Sequence, residues 1–222
     1  MKRSPPVTEQ ALLARVNDLA AKTINQIAND LNMFVPESLL KAKGWMGELI
    51  ETALGANAGN TAQPDFVELG IELKTLPIDR FGKPLESTYV TVVPLLDRQQ
   101  FSWEKSEVYG KLKRVLWVPI ISERHMSVGE RQVANPFIWS PDHHDMQILK
   151  TDWHEIMDMV ALGQVEKLNG RFGTYLHVRP KAANSRCLTN AYAEDGSIMQ
   201  TLPRGFYLRS DFTRKILSDV FR

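Results

Sequence analysis

The stretch PDFVELGIELKTLPI, residues 64–78, combines the pattern of a buried strand with charged side chains. Its apolar positions predict the strand: Ile71, Leu73, Leu76 and Ile78. Residues i and i+2 of a strand share a face, so Glu72 and Lys74 lie together while Leu73 faces the core. Gly70 is a flexible break that allows the chain to bring Asp65 beside Glu72.

Two carboxylates held close together repel each other, and burial increases that cost. A divalent cation removes the penalty, and Mg²⁺ usually binds one or two carboxylates together with water and a phosphate. With Lys74 to hold a phosphate or orient a water, Asp65 and Glu72 could hydrolyse a phosphodiester. A surface ion pair between Glu72 and Lys74 explains the same spacing, and the residues alone leave both interpretations open.

Length and composition indicate a globular protein. The 222 residues suit one large domain or two lobes of one domain, and 43% hydrophobic residues can bury a substantial core. The single cysteine, Cys187, excludes an internal disulfide framework. We find no apolar stretch long enough to span a bilayer and no signal-peptide core at the start, which predicts a cytoplasmic protein without membrane contact.

The charge is unevenly distributed along the chain. Residues 164–222 contain 10 Lys and Arg against 5 Asp and Glu, whereas residues 1–163 contain 17 against 21. A basic C-terminal part suits an anionic partner bound on one side. An ordinary fluctuation of surface charge fits the count equally well.

The periodicity predicts a mixed α/β chain with a helical N-terminal segment. Thr8 is a predicted N-cap, Thr23 with Gln26 forms a capping box, and Pro36 opens a short helix. Further helices are predicted at 44–54, after Ser140 or Asp142 until Gly163, and after a cap at Ser210. Strands are predicted at 70–78, 87–96 and 114–121, and also in TYLHVRP and SIMQTLPRGFYLR. The apolar runs of the central strands predict a sheet covered on both faces.

The segment PDFVELGIELKT resembles the D-x(n)-E-x-K motif of restriction-endonuclease-like nucleases, the PD-(D/E)xK superfamily. The wider chain resembles the MutH family of DNA mismatch repair. The blocks that carry this resemblance run in order from about residue 43 to 210: KGWMGELIETALGANAG, KLKRVLWVPI, MDMVALGQVEKL, VRPKAANS and TLPRGFYL.

The resemblance implies one endonuclease domain over residues 1–222, with a mixed central sheet flanked by helices and two lobes that form a DNA-binding cleft. Residues 44–121 would be its catalytic part and 164–210 its DNA-recognition part. MutH proteins nick the unmethylated strand of double-stranded DNA, 5′ to the G of hemimethylated or unmethylated GATC. They use Mg²⁺, act as monomers, and are activated by MutL after MutS has found a mismatch. Mn²⁺ or Ca²⁺ can occupy the same metal site.

Carried onto this sequence, the family pattern makes Asp65 and Glu72 metal ligands, joined by the backbone carbonyl of Leu73. Lys74 would position the attacking water. Glu51 matches a further acidic residue of the family's active site, although its place in a helix also suits a solvated glutamate. Lys111 matches a second active-site lysine, suited to a backbone phosphate.

The resemblance assigns DNA reading to the segment around Pro180. Arg179 and Lys181 are its candidates for contacts to bases, since Arg or Lys to guanine is the commonest contact in the major groove. Tyr207 matches the residue proposed to sense adenine methylation. Tyr89 and Lys43 are further candidates for DNA contact.

Two other functions remain open. A GATC-specific type II-like restriction endonuclease would share the catalytic domain, and a DNA-binding module without catalysis would share only the basic surface. The complete set of Asp65, Glu72 and Lys74 disfavours the second.

Overall fold

The structure is a computed structural model that describes residues 3–40, 42, 44–59, 61–96 and 102–221. The chain divides into two compact units that alternate along the sequence. The first unit comprises Met1–Leu85 and Lys113–Ser140, and the second comprises Glu86–Leu112 and Pro141–Arg222. Residues 86–112 of the predicted catalytic part therefore belong to the second unit. The single domain with two lobes and a cleft stays a prediction.

The helices of the first unit are α1 (Glu9–Asn17), α2 (Ile24–Asp30) and α3 (Trp45–Leu54). Those of the second unit are α4 (Glu107–Leu112), α5 (His143–Ala161) and α6 (Ser210–Val220). The strands, in chain order, are β1 (Glu72–Ile78), β2 (Thr88–Val92), β3 (Val115–Ile121), β4 (Gln132–Val133), β5 (Phe137–Trp139), β6 (Leu176–Pro180), β7 (Thr189–Tyr192), β8 (Ile198–Thr201) and β9 (Arg204–Leu208).

In the first unit, β3 is the centre of a mixed sheet. It pairs in parallel with β1, with Glu72 opposite Val115, and its other edge pairs antiparallel with β4 and β5. The helices and the sheet share one core, to which α1 contributes Leu12, α3 contributes Leu49 and Ile50, and β1 contributes Leu73. This packing places α3 against the strand that carries the candidate catalytic residues.

The helix N-caps predicted in the first unit are confirmed. The Thr8 side chain accepts a hydrogen bond from Ala11 N, and Thr23 forms the predicted capping box with Gln26. The short helix predicted after Pro36 is wrong, because residues 33–40 contain no helix. So short a segment does not offset the cost of nucleating a helix, and Pro36 removes one of its donors.

In the second unit, β9 is the middle strand of an antiparallel sheet of order β2-β9-β6, and β7 and β8 form a separate hairpin. The strand predicted over SIMQTLPRGFYLR is divided into β8 and β9, since Pro203 lies between them. Asp142, one of the two residues predicted to cap this helix, is the N-cap of α5. The predicted cap at Ser210 is wrong, because Ser210 is the first residue of α6 and Arg209 precedes it.

A buried carboxylate on α5 fixes the start of β6. Asp152 accepts backbone hydrogen bonds from Thr174, Tyr175 and Leu176 at 2.7, 2.6 and 2.8 Å. Asp152 is 3% exposed, so these bonds replace the water that the carboxylate loses on burial. They position the strand that ends at Arg179 and Pro180.

The predicted mixed α/β class is confirmed. The described strands are divided among three sheets, and β2 pairs with β9 rather than with β1 or β3. Among the residues that the structure describes, no helix has both the length and the apolar character needed to cross a membrane.

Candidate active site

A tight loop returns Asp65 to β1. Phe66 N donates to Ile71 O at 2.9 Å, Ile71 N donates to Phe66 O at 3.3 Å, and Gly70 turns the chain with φ of 62°. The Asp65 carboxylate therefore accepts a 2.8 Å hydrogen bond from the backbone N–H of Leu73. With Asp65 8% exposed, this carboxylate is held at the start of β1 and is largely removed from water.

Glu72 and Lys74 lie on the same face of β1, as their spacing predicts. Lys74 Nζ donates to Glu72 Oε1 at 2.7 Å. The Glu72 side chain is 2% exposed and that of Lys74 is 13% exposed. The alternative interpretation, a surface ion pair between Glu72 and Lys74, does not fit this degree of burial.

Glu51 on α3 belongs to the same cluster. Burial raises the pKa of Glu51 above its ordinary value, and the carboxylates of Asp65 and Glu72 raise it further, while Lys74 acts in the opposite direction. Glu51 is partly buried and close enough to both carboxylates to interact with them, so the interpretation as a fully solvated helix residue does not fit this position. Only the packing of α3 on β1, which no local pattern encodes, brings this side chain to the site.

The charge balance of the cluster suits a divalent cation. Counted by formal charge, three carboxylates face one ammonium group, which leaves two negative charges in a partly buried site. Among the described parts of the chain, no group of three or more His, Cys, Asp or Glu side chains has the arrangement of a metal site. The predicted donor set is smaller, two carboxylates with the Leu73 carbonyl, and Mg²⁺ accepts such a set because it keeps several waters. The residues therefore fit the cation.

The predicted DNA-reading residues of the second unit lie at one end of its three-stranded sheet. Arg179 and Pro180 end β6, where they lie opposite Gly205 and Arg204 of β9. Lys181 follows, and its N–H donates to Pro203 O at 2.7 Å. Arg179, Pro180 and Lys181 are all exposed. This placement leaves both cationic groups accessible.

The two tyrosines predicted to contact DNA lie opposite each other in this sheet. Tyr89 on β2 is in register with Tyr207 on β9, and their rings meet edge to face with centroids 5.3 Å apart. Burial raises the pKa of both hydroxyls, so both stay protonated at neutral pH and remain able to donate. Lys43, the remaining candidate for DNA contact, lies outside the described residues.

Comparison with known proteins gives the chain its family. Residues 54–152 match the family described as "MutH: DNA mismatch repair enzyme MutH". The DNA mismatch repair protein MutH of Shewanella baltica (strain OS155 / ATCC BAA-1091) is 52% identical over 217 residues, which cover 98% of this chain and 97% of the relative. The chain belongs to the MutH family. A MutH of Shewanella oneidensis is 51% identical over the same number of residues, again covering 98% of this chain and 97% of the relative.

Membership of the MutH family supports a DNA endonuclease of mismatch repair. The part matched to the MutH family contains Asp65, Glu72, Lys74 and Lys111. Lys111 lies near the end of α4, in the second unit, whereas the acidic cluster lies in the first. Its role at a phosphate stays a prediction.

Sequence reasoning missed one histidine of this MutH chain. His177 lies opposite Tyr207 in the β6–β9 pairing, with ring centroids 6.2 Å apart. It is 6% exposed, and neither ring nitrogen has a hydrogen-bond partner among the residues that the structure describes. Burial, followed by Arg209 and Arg179, lowers its pKa to about 4, so the ring is neutral at neutral pH.

Two arginines of the basic C-terminal part form hydrogen bonds within the fold. Arg209 donates to the carbonyls of Gly170, Phe172 and Gly173 at 2.7 to 3.1 Å. Arg204 is 6% exposed and donates to Leu202 O at 2.8 Å. Both guanidinium groups donate to backbone carbonyls and hold the backbone in place.

Proposed function

We propose that this chain is a Mg²⁺-dependent endonuclease that nicks the unmethylated strand at hemimethylated GATC sites, 5′ to the G. The observation that carries the proposal is the cluster of Glu51, Asp65, Glu72 and Lys74, with Asp65 and Glu72 buried, in a member of the MutH family. Buried carboxylates at this density are costly for stability alone, which favours a role in binding a cation and a phosphate.

The residues of the cluster have separate tasks in this proposal. Asp65 and Glu72, with the Leu73 carbonyl, would hold the cation, which supplies positive charge against the negative charge that develops on the phosphate during hydrolysis. Asp65 is oriented by the Leu73 N–H, and Glu72 by the Lys74 ammonium group. Lys74 would donate a hydrogen bond to the attacking water and so fix its line of approach to phosphorus. Lys111 would contact a backbone phosphate.

The basic end of the second unit supplies sequence reading. Arg179 and Lys181 are exposed and carry the donors that guanine O6 and N7 accept. Tyr207 would pack near adenine N6, where a methyl group causes a clash or removes a donor. Protonated hydroxyls on Tyr89 and Tyr207 add donors to the same surface.

The proposed enzyme acts as a monomer with one cluster of catalytic residues, and so cuts one strand for each binding event. MutL would activate it, and MutS would act indirectly by recognising the mismatch. Membership of the MutH family supports proposing these partners.

A plasmid assay tests the proposal. Mismatch-free plasmids with unmethylated, hemimethylated or fully methylated GATC sites are incubated with the protein and Mg²⁺, with and without MutL. We expect nicks on unmethylated strands only, and faster nicking with MutL. Double-strand cuts from single binding events would indicate a restriction endonuclease, and binding without cleavage under any of these conditions would indicate a DNA-binding module.

A further inference from the structure

Three rings form a row across the sheet of the second unit. Tyr89, Tyr207 and His177 are directly opposite one another on β2, β9 and β6. Side chains that lie opposite each other project from the same face of a sheet. Tyr207 is the middle ring, with centroids 5.3 Å from Tyr89 and 6.2 Å from His177.

Gly205 is the part of the backbone on which two of these rings rest. It precedes Tyr207 by two residues and therefore shares its face. A Cβ atom on Gly205 would lie 3.0 Å from Cε2 of Tyr207, 3.0 Å from Cε2 of Tyr89 and 3.4 Å from Cβ of Lys181. Gly205 is not among the glycines with positive φ. Its backbone would accept alanine, so the close approach of the rings is what requires glycine here.

The predicted base-reading cations lie over the same two rings. Lys181 Nζ is 4.0 Å from the centroid of Tyr89, and Arg179 Cζ is 5.8 Å from that of Tyr207. Attraction between a cation and the face of an aromatic ring holds each charge over its ring. The backbone at Gly205, the two tyrosine rings and the two cationic groups thus form three successive layers. The distance between the rings and the backbone therefore determines how far the cationic groups lie from the sheet.

We propose that Gly205 is a positioning residue that determines DNA sequence selectivity. Because Gly205 has no side chain, the rings of Tyr89 and Tyr207 can pack directly against its backbone. The positions of these rings in turn determine the positions of Lys181 and Arg179. Hydrogen bonds to base edges weaken steeply with displacement and misalignment. A shift of a few tenths of an ångström therefore reduces the preference for the correct base more than it reduces attraction to the phosphates. This inference rests on the proposed function, because it assigns a structural origin to GATC selection.

The test is Gly205→Ala, with Gly110→Ala as the matched control in the same unit. Apart from its chain neighbours and the backbone of α4 itself, a Cβ on Gly110 would have no heavy atom of the described residues within 4 Å. The measured quantity is kcat/KM for nicking at GATC divided by kcat/KM at a site that differs by one base pair. We expect Gly205→Ala to lower this ratio by about tenfold, the scale of one impaired bidentate base contact. Gly110→Ala should leave the ratio unchanged.

A double-mutant cycle separates positioning from a general effect on folding. If Gly205 acts through the rings, Gly205→Ala should change the ratio less than twofold in a variant that already carries Tyr89→Ala and Tyr207→Ala. An undiminished effect in that background would overturn the proposal, and so would a ratio within twofold of wild type for Gly205→Ala alone.

Two further outcomes are decisive. If Gly205→Ala does not fold, the Gly205→Ala/Tyr89→Ala variant, which lacks one of the two crowded ring edges, should fold. Its failure to do so would show that the sheet itself needs Gly205 and would refute positioning through the rings. If the wild-type protein nicks without preference for GATC, the proposed function fails at that step, before any variant is compared.

Discussion

Acidification should destabilise the folded protein through His177. This side chain is 6% exposed, and burial together with Arg209 and Arg179 lowers its pKa to about 4, against 6.5 for an ordinary histidine. Between these two values the unfolded chain binds a proton that the folded chain does not. The free energy of unfolding therefore falls as the pH falls through this window. Between pH 7.5 and pH 5 the linkage amounts to about 2 kcal/mol.

Urea unfolding at these two pH values measures the effect. His177→Gln removes the titrating group, so its free energy of unfolding should fall by about 2 kcal/mol less than that of wild type. His143→Gln is the matched control, because His143 is an exposed histidine in the same unit. Wild type and His177→Gln share every other titrating group, so the difference between them isolates His177. Equal losses in wild type and His177→Gln would refute the reasoning.

Four further predictions concern catalysis, metal binding, DNA reading and stability. Lys74→Ala should slow nicking by roughly 10²–10⁴-fold while DNA binding, measured by fluorescence anisotropy, changes little; full activity would contradict its role. Mg²⁺ should raise the melting temperature of wild type but not of Asp65→Asn, and EDTA should stop nicking until Mg²⁺ is restored; an equal rise in both proteins would place the ion elsewhere. Arg179→Ala should reduce the preference for GATC over a one-base variant by roughly 5- to 150-fold, and unchanged selectivity would remove it from the reading surface. Asp152→Ala leaves three backbone N–H groups without their acceptor and should cost about 3 kcal/mol or more in urea unfolding; a loss below 1 kcal/mol would mean that water replaces the carboxylate.

Features encoded within a few residues were predictable from the sequence. The caps at Thr8 and Thr23 depend on neighbours three residues away, and the structure has both. The shared face of Glu72 and Lys74 follows from the period of a strand, and the return of Asp65 requires only the turn at Gly70. A local pattern thus contained most of the acidic site, although it did not show how deeply the site is buried.

Features that depend on distant segments were not predictable in this way. Glu51 joins the cluster because α3 packs on β1, and the pattern of α3 alone is that of an ordinary helix. The row of Tyr89, Tyr207 and His177 needs the register of three strands, two of which are separated from β2 by more than eighty residues. Without that register His177 is an isolated histidine, and Gly205 is one glycine among 13.

The basic C-terminal part shows why a count of charges overstates the surface available to DNA. Its excess of positive charge includes Arg209, which donates to three backbone carbonyls, and Arg204, which is buried. Lys215 pairs with Asp145 at 2.9 Å. Sequence alone cannot distinguish these side chains from Arg179 and Lys181, because an arginine or lysine that donates to a carbonyl has the same letter code as one that contacts a phosphate. Since the salt dependence of binding follows the number of phosphates neutralised, we expect its slope to reflect the exposed cations and to be smaller than the full count of basic residues implies.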